Sequence, residues 1–433
     1  MAGRSTRYLR EPAWRVSAKL ALRSLRLNVR RTILTAAAMI LGGGLLIFGF
    51  SLTDGGQEMW IREAARMGTG HIVIERPEFR NAPRIENRLP REVHDVVTRA
   101  LASPAVASRV MAASAQLGVR GLASSAAGAR PVKITAVVPE AEAGLSTLDA
   151  KVTAGRYLRP DDEARAVIGV RLAASLRLEP GSKFVVQSED ATGEIASQLL
   201  RVAGIFRSGV AEVDQTTVQV PLQTADGWLG AGNGVTNVKV VLLHSSLVPE
   251  TVAALEEALA AHILEGNVAV LDWKTANPAL ASAIALDNFS GSIVRVLLFG
   301  IIAFGIMNTV LMSVLHRHRE FGILQAIGMS PAQTGVIVLI EGMVLTLLSG
   351  FIGVGLGTFL TWYFFGDGLD FSGSMDEMTF SGILLEPVIV PEFRTGRYLQ
   401  SLGFILVVGT IASVYPALRA ARIDVTEVLK FDR

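Results

Sequence analysis

The sequence predicts a polytopic α-helical membrane protein with four transmembrane helices and a large α+β extracytoplasmic domain between spans one and two. Three observations carry this prediction. The 433-residue chain is 50% hydrophobic but only 18% charged, whereas a soluble domain is nearer a quarter charged. Four stretches reach the roughly 20 apolar residues that a bilayer-crossing helix needs: residues 33–52, 292–315, 334–365 and 402–421. Between the first two lie residues 53–291, a segment far longer than a loop, which must therefore fold.

The net charge of +2 hides an uneven layout. Residues 1–50 hold nine Lys/Arg and one acid, and the rest of the chain is net acidic. A cationic N-terminus on an apolar chain points to membrane orientation and excludes nucleic acid as a partner. The apolar content excludes disorder. The absence of cysteine excludes disulfides, thiolate metal sites and a cysteine nucleophile.

Residues 1–32 precede the first span. Arg15, Lys19, Arg23, Arg26 and Arg30 recur at helical spacing and predict a helix in the inner membrane interface, its cations against anionic headgroups of membrane lipid. Span one (33–52) reads as uncleaved, because no small-residue cleavage site follows it cleanly. In the outer domain, strand patterns fall at His71–Glu75, Val132–Val138, Ala166–Gly169, Lys183–Gln187, Val218–Pro221, Val238–His244 and Val268–Trp273. Helical patterns fall at Val170–Leu176 and Pro249–Ile263. Ser103–Ala129, rich in Ala, Ser and Gly, reads as a boundary between two lobes or a mobile segment. Asn277–Leu286 is helical in pattern and leads toward span two (292–315), as a continuous stalk or a short linker helix.

The linker 316–333 holds Arg317 and Arg319 and belongs inside by the positive-inside rule. Span three (334–365) would reach about 48 Å at ~1.5 Å per residue, so its first turns belong to the inner interface. Gly350, Gly353 and Gly357 put small residues on one of its faces, which lets membrane helices pack closely. Asn308 in span two and Glu341 near the inner end of span three are intramembrane polar residues. For them, structural pairing or snorkelling is preferred to proton or substrate handling. The loop 366–401 carries six acids against two arginines and belongs outside, with Trp362, Tyr363 and Tyr398 as an aromatic belt. Span four (402–421) returns the tail 422–433 inside.

No catalytic or metal-binding constellation appears. The dipeptide Gly-Lys never occurs, so there is no Walker A loop, and no His-Glu-x-x-His or Gly-x-Ser-x-Gly motif is present. The six histidines are scattered. No cofactor is assigned to this chain, and no substrate-binding residue is legible.

The segment with a mechanism is His316–Pro331, HRHREFGILQAIGMSP. Phe321, Leu324 and Ile327 repeat at spacing three beside Ile323, Gly328 ends the helix, and Ser330-Pro331 starts the next. A short helix with an apolar face on a cytoplasmic loop wants a groove on a partner protein. Phe321 and Leu324 are expected to fill that groove, with Gly322 permitting close approach and Glu320 pairing at the rim.

From here the chain resembles the FtsX/MacB-type permeases of ABC transporters. The resemblance rests on Arg319-Glu320-Phe321-Gly322-Ile323-Leu324, Ala326-Ile327-Gly328, Glu341-Gly342, and the tail from Tyr415 to Arg422 with Val425 and Val428-Leu429. Within the outer domain, Gly155-Arg156-Tyr157-Leu158, Ile168-Gly169 with Leu172-Ala173, and Ser208-Gly209-Val210 with Glu212 and Asp214 look most like the lipoprotein-releasing LolC/LolE branch. The resemblance implies that Glu320–Leu324 and Ala326–Gly328 form a coupling helix that docks on an ABC ATPase dimer, which binds ATP and magnesium as a separate subunit. It implies no enzymatic activity in this chain, a second permease chain (identical or related), and the bacterial inner membrane as location. The implied function is to turn ATP hydrolysis into motion of the outer domain, extracting a lipoprotein or other amphiphile and passing it to a periplasmic carrier. The alternatives are a permease-like regulator of a periplasmic partner, or MacB-like efflux of peptides or drugs.

Overall fold

The computed structural model describes residues 29–371, 379–380, 383–384 and 388–423. The interfacial helix expected in residues 1–32 lies outside the described residues except at its end, as do Asp376, Glu377 and most of the tail 422–433. In chain order, the helices used below are α1 (Val29–Ala64), α2 (Val170–Leu176), α3 (Ala211–Thr216), α4 (Val248–Ala258), α5 (Pro278–His316), α6 (His318–Ala326), α7 (Pro331–Phe365) and α8 (Thr395–Ala421). The chain divides into two compact units.

The membrane-helix unit comprises Met1–Gly56, Asp287–Leu369 and Ile389–Arg433. Helices α1, α5, α7 and α8 each contain a segment long and apolar enough to cross a membrane. All four exceed the expected spans. In particular, α5 begins at Pro278 and runs without a break to His316, so the helical pattern at Asn277–Leu286 and span two form one helix, not a linker followed by a span. Inside the bundle, Met39, Ile306, Val310, Val338 and Leu345 pack together. Gly353 and Gly357 let α7 approach α1 closely. A Cβ at Gly353 would lie 2.8 Å from the Ile40 carbonyl oxygen, and one at Gly357 would lie 2.5 Å from the Gly44 Cα. Gly350 packs on Ile405 of α8.

The second unit, Gln57–Leu286 with Asp370–Val388, is built on one ten-stranded mixed sheet. Its strands are β1 (Ile72–Glu75), β2 (Val110–Ser125), β3 (Gly128–Val137), β4 (Val152–Gly155), β5 (Arg165–Gly169), β6 (Lys183–Glu189), β7 (Ile195–Phe206), β8 (Thr217–Pro221), β9 (Asn237–Leu242) and β10 (Ala269–Asp272). The path is β10-β1-β9-β2-β3-β8-β5-β7-β4, with β6 bridging β2 and β7. All seven expected strands are present. Ser103–Ala129 is corrected: it contains β2, the longest strand, paired with β3, β6 and β9. Its small residues permit that crowding, since a Cβ at Gly121 would strike the Gln187 carbonyl. The expected helix Pro249–Ile263 is interrupted at Leu259, which leaves α4 and a second, five-residue helix over Ala260–Leu264. Alternate residues of β2, β3 and β5, among them Leu117, Ile134 and Ile168, form the main core with Phe184 and Val218.

Candidate functional site

The inner-loop segment folds as the sequence predicts locally. Helix α6 ends at Ala326, and Gly328 takes φ +107°, a conformation that favours glycine. Ser330 then caps α7. Its Oγ accepts from the Gln333 amide at 3.3 Å, the Gln333 Oε1 accepts from the Ser330 amide at 2.9 Å, and Pro331 fills the first helical position.

The facing of α6 differs from the expectation. Phe321 is 1% exposed and packs into the membrane-helix core with Val314, Ala417 and Ala420; Leu324 is half-buried against the same cluster. Gly322 is also buried. These residues cannot fill a groove on another protein, because they hold α6 onto its own bundle. The exposed face consists of Glu320, Ile323 (47%), Ala326, Ile327 (77%) and Gly328. At about 100° per residue, Phe321 and Leu324 share one arc of the helix while Ile323 and Ile327 share another.

Arg317 fixes this arrangement. Its Nε donates to Glu320 at 2.9 Å, its Nη1 donates to Glu341 at 2.9 Å, and its guanidinium lies 4.7 Å from the centre of the Phe321 ring. The Arg317 and Glu341 side chains are both largely buried. Glu341 is therefore held by structural pairing, linking the start of α6 to α7. At the other end of α6, the Gln325 amide donates to Thr334 Oγ1 at 3.3 Å and to the Ala420 carbonyl at 3.4 Å. Helix α6 is thus tied to both α7 and α8.

A second ion pair, not singled out from the sequence, lies in the same unit. Asp54 is 1% exposed and takes a bidentate fork from Arg397, at 2.8 and 2.6 Å. The Arg397 guanidinium lies 4.9 Å from the Phe50 ring centre. The readable signal was an acid just past span one and a base just before span four. Asn308, by contrast, is exposed on α5 and is not drawn into either network.

The chain matches two family descriptions: MacB-like periplasmic core domain over residues 32–258 and FtsX-like permease C-terminal over residues 292–425. The chain belongs to the FtsX/MacB-type permeases of ABC transporters. Among its relatives, LolC of Neisseria meningitidis serogroup B, a lipoprotein-releasing system transmembrane protein, is 24% identical over 96% of this chain and 99% of that protein. MacB of Brucella melitensis biotype 1, a macrolide export ATP-binding/permease protein, is 25% identical over 78% of this chain but 52% of that longer protein. A solved periplasmic region of MacB from Actinobacillus actinomycetemcomitans shares 13% identity over 48% of this chain and 90% of that one, with a TM-score of 0.35. The exposed arc of α6 carries Glu320, Ile323 and Ala326, and Arg317 joins the start of that helix to α7.

Proposed function

We propose that this permease receives the stroke of a separate ABC ATPase dimer on the exposed arc of α6 and passes it, through its membrane helices, to the domain at residues 57–286. The observation that carries this reading is the division of α6 into two faces. Phe321, Arg317 and Gln325 anchor one face to α7 and α8, while Ile323, Ala326 and Ile327 stay open beside Glu320. A loop that merely connected two spans would have no need of apolar residues on both faces. In this reading the domain at 57–286 lies on the periplasmic side of the inner membrane and α6 on the cytoplasmic side, as the Lys/Arg layout indicates.

The cargo of this reading is a lipoprotein or another amphiphile, handed to a periplasmic carrier. The nearly full-length match to a LolC supports it over macrolide export. A second permease chain completes the transporter. It does not use the Gly353/Gly357 face, which packs on α1 of the same chain. It packs along α5, where Asn308 and the apolar Ile301 and Phe304 are exposed. A mid-span polar side chain is costly against lipid and suits a helix that can hydrogen-bond it.

The test is reconstitution with the ATPase in vesicles, measuring ATP hydrolysis and release of a lipoprotein to carrier. Cargo-stimulated hydrolysis and release, both lost in Arg317→Ala while the ATPase still binds, are the expected outcome. Wild-type coupling in Arg317→Ala would remove α6 from the transmission path.

A further inference from the structure

The second unit has a groove on the sheet face opposite its main core. Strand alternation builds it. On β2 and β3, Leu117, Val119, Val132 and Ile134 turn to the core, while Gly118, Arg120, Lys133 and Thr135 line the groove. Lys239 and Asn237 of β9 extend it, and Phe79 and α3 bound it. The cavity is about 480 Å³, within the ordinary range for ligand pockets.

Its charge is unbalanced in a specific way. Arg120 and Lys133 stand directly opposite each other in the β2–β3 register. Like charges at directly opposed positions destabilise a sheet. Neither side chain has an ion pair or a side-chain hydrogen bond to protein among the described residues. Glu212 is the one acid in the wall. Lys239 is committed elsewhere, since its Nζ donates to the Gly68 carbonyl. The Lys133 ammonium is held below the usual lysine range, first by loss of water and then by the charge of Arg120, with Glu212 opposing. Lys239 is pushed down to about 7, first by burial and then by the charge of Lys133, with Glu142 and Glu75 opposing. Two facing cations against the single carboxylate of Glu212 leave a place for an anion.

A second feature narrows the ligand. Asn237 is 9% exposed, and its Oδ1 has no hydrogen-bond partner among the described residues. A buried amide oxygen asks for a donor. A phosphodiester brings acceptors alone and inorganic phosphate only a hydroxyl donor, whereas a peptide with acidic side chains brings carboxylates and a row of N–H groups together.

We propose that this groove binds an acidic peptide segment of a partner protein, with its carboxylates held between Arg120 and Lys133. The groove is separate from the α6 coupling surface, and the proposal does not depend on the cargo assignment.

The full chain in detergent or nanodiscs is titrated with a fluorescein-labelled peptide of alternating Glu and Gly, with and without inorganic phosphate or vesicles containing phosphatidylglycerol as competitors. The peptide is expected to bind, and to bind more weakly as salt rises. Arg120→Gln with Lys133→Gln should weaken it at least tenfold, and Arg99→Gln, outside the groove, should leave it unchanged. The double variant should melt no lower than wild type, because the repulsion between the two cations is gone. Equal peptide affinity in the double variant would overturn the proposal. So would a lower melting temperature, which would make the two cations structural props. Binding of phosphate or vesicles that the peptide fails to displace would overturn the peptide as ligand.

Discussion

Replacing both Ile323 and Ile327 with serine should separate docking from folding. The two side chains are 47% and 77% exposed, so a partner can cover a little more than one isoleucine's worth of apolar surface. Full burial of one such side chain contributes about 1.5–3 kcal/mol. Docking also costs side-chain order and polar desolvation, so the lower part of that range applies. A loss of about 2 kcal/mol corresponds to roughly thirtyfold weaker ATPase binding. The permease itself should keep its melting temperature, because neither residue is in the core. Phe321→Ala should behave in the opposite sense. Its ring is buried in the cluster that includes Val314, Ala417 and Ala420, with Arg317 over it, and removing a buried aromatic costs about 3–5 kcal/mol of folding stability. The measurement is a titration of purified ATPase onto nanodisc-embedded permease, paired with thermal melting of the permease alone. Wild-type ATPase affinity in the double serine variant, or an unchanged melting temperature in Phe321→Ala, would refute the division of α6 into a docked and an anchored face.

Other outcomes follow from the same structure. Gly357→Leu should lower the melting temperature sharply by forcing α7 off Gly44, whereas Gly355→Ala, with open space around it, should be near neutral by the same melt. Arg397→Ala should cost about 3–5 kcal/mol, because it strands the buried Asp54 carboxylate; differential scanning calorimetry checks this, and a stability change under 1 kcal/mol would contradict it. His71 is 2% exposed, its Nδ1 accepts from the Leu242 amide at 3.0 Å, and burial lowers its pKa to about 4. The unfolded chain takes up that proton below about pH 6.5, so the stability held by neutral His71 is complete above pH 6.5 and is lost as the pH falls toward 4. The loss approaches about 3 kcal/mol, and pulse proteolysis of the outer domain should show it flattened in His71→Gln.

The spans were legible because a bilayer imposes length and apolarity on each helix separately. Most strands were legible for a similar reason: residues such as Val218–Pro221 and Val238–Leu242 carry their apolar signal locally. Strand β2 was not, since its Ala, Ser and Gly residues are set by the crowding of β3, β6 and β9 around it, which is a property of the tertiary structure. The glycines of α7 announced a close approach, but nothing in their spacing says that the neighbours are Gly44 and Ile40 of the same chain rather than another chain. For α6, Phe321, Ile323, Leu324 and, one residue past the helix end, Ile327 form a continuous apolar arc about 160° wide. Which arc turns inward is decided by Arg317 pairing with Glu341 and by Gln325 reaching Ala420, contacts 24 and 95 residues apart in sequence.

Two ion pairs in the membrane-helix unit, Arg317–Glu341 and Asp54–Arg397, bear on how a permease could pass on a stroke. Burying a charged pair stabilises little by itself, because desolvation offsets most of the attraction. Its effect is on register. An apolar seam such as that of Met39, Ile306 and Val338 tolerates a small slide, since one methyl contact replaces another. A buried charged hydrogen bond, single at Arg317–Glu341 and bidentate at Asp54–Arg397, does not, because a shift of about 1 Å weakens it and leaves both charges bare. Arg317–Glu341 pins the start of α6 to α7, and Asp54–Arg397 pins α1 to the start of α8. Between those points, Gly353 and Gly357 let α7 lie close against Ile40 and Gly44 of α1. A bundle fixed in register at a few charged points can tilt as a body without its helices slipping past one another. That is the mechanical property a push on the exposed arc of α6 requires if it is to travel beyond α6.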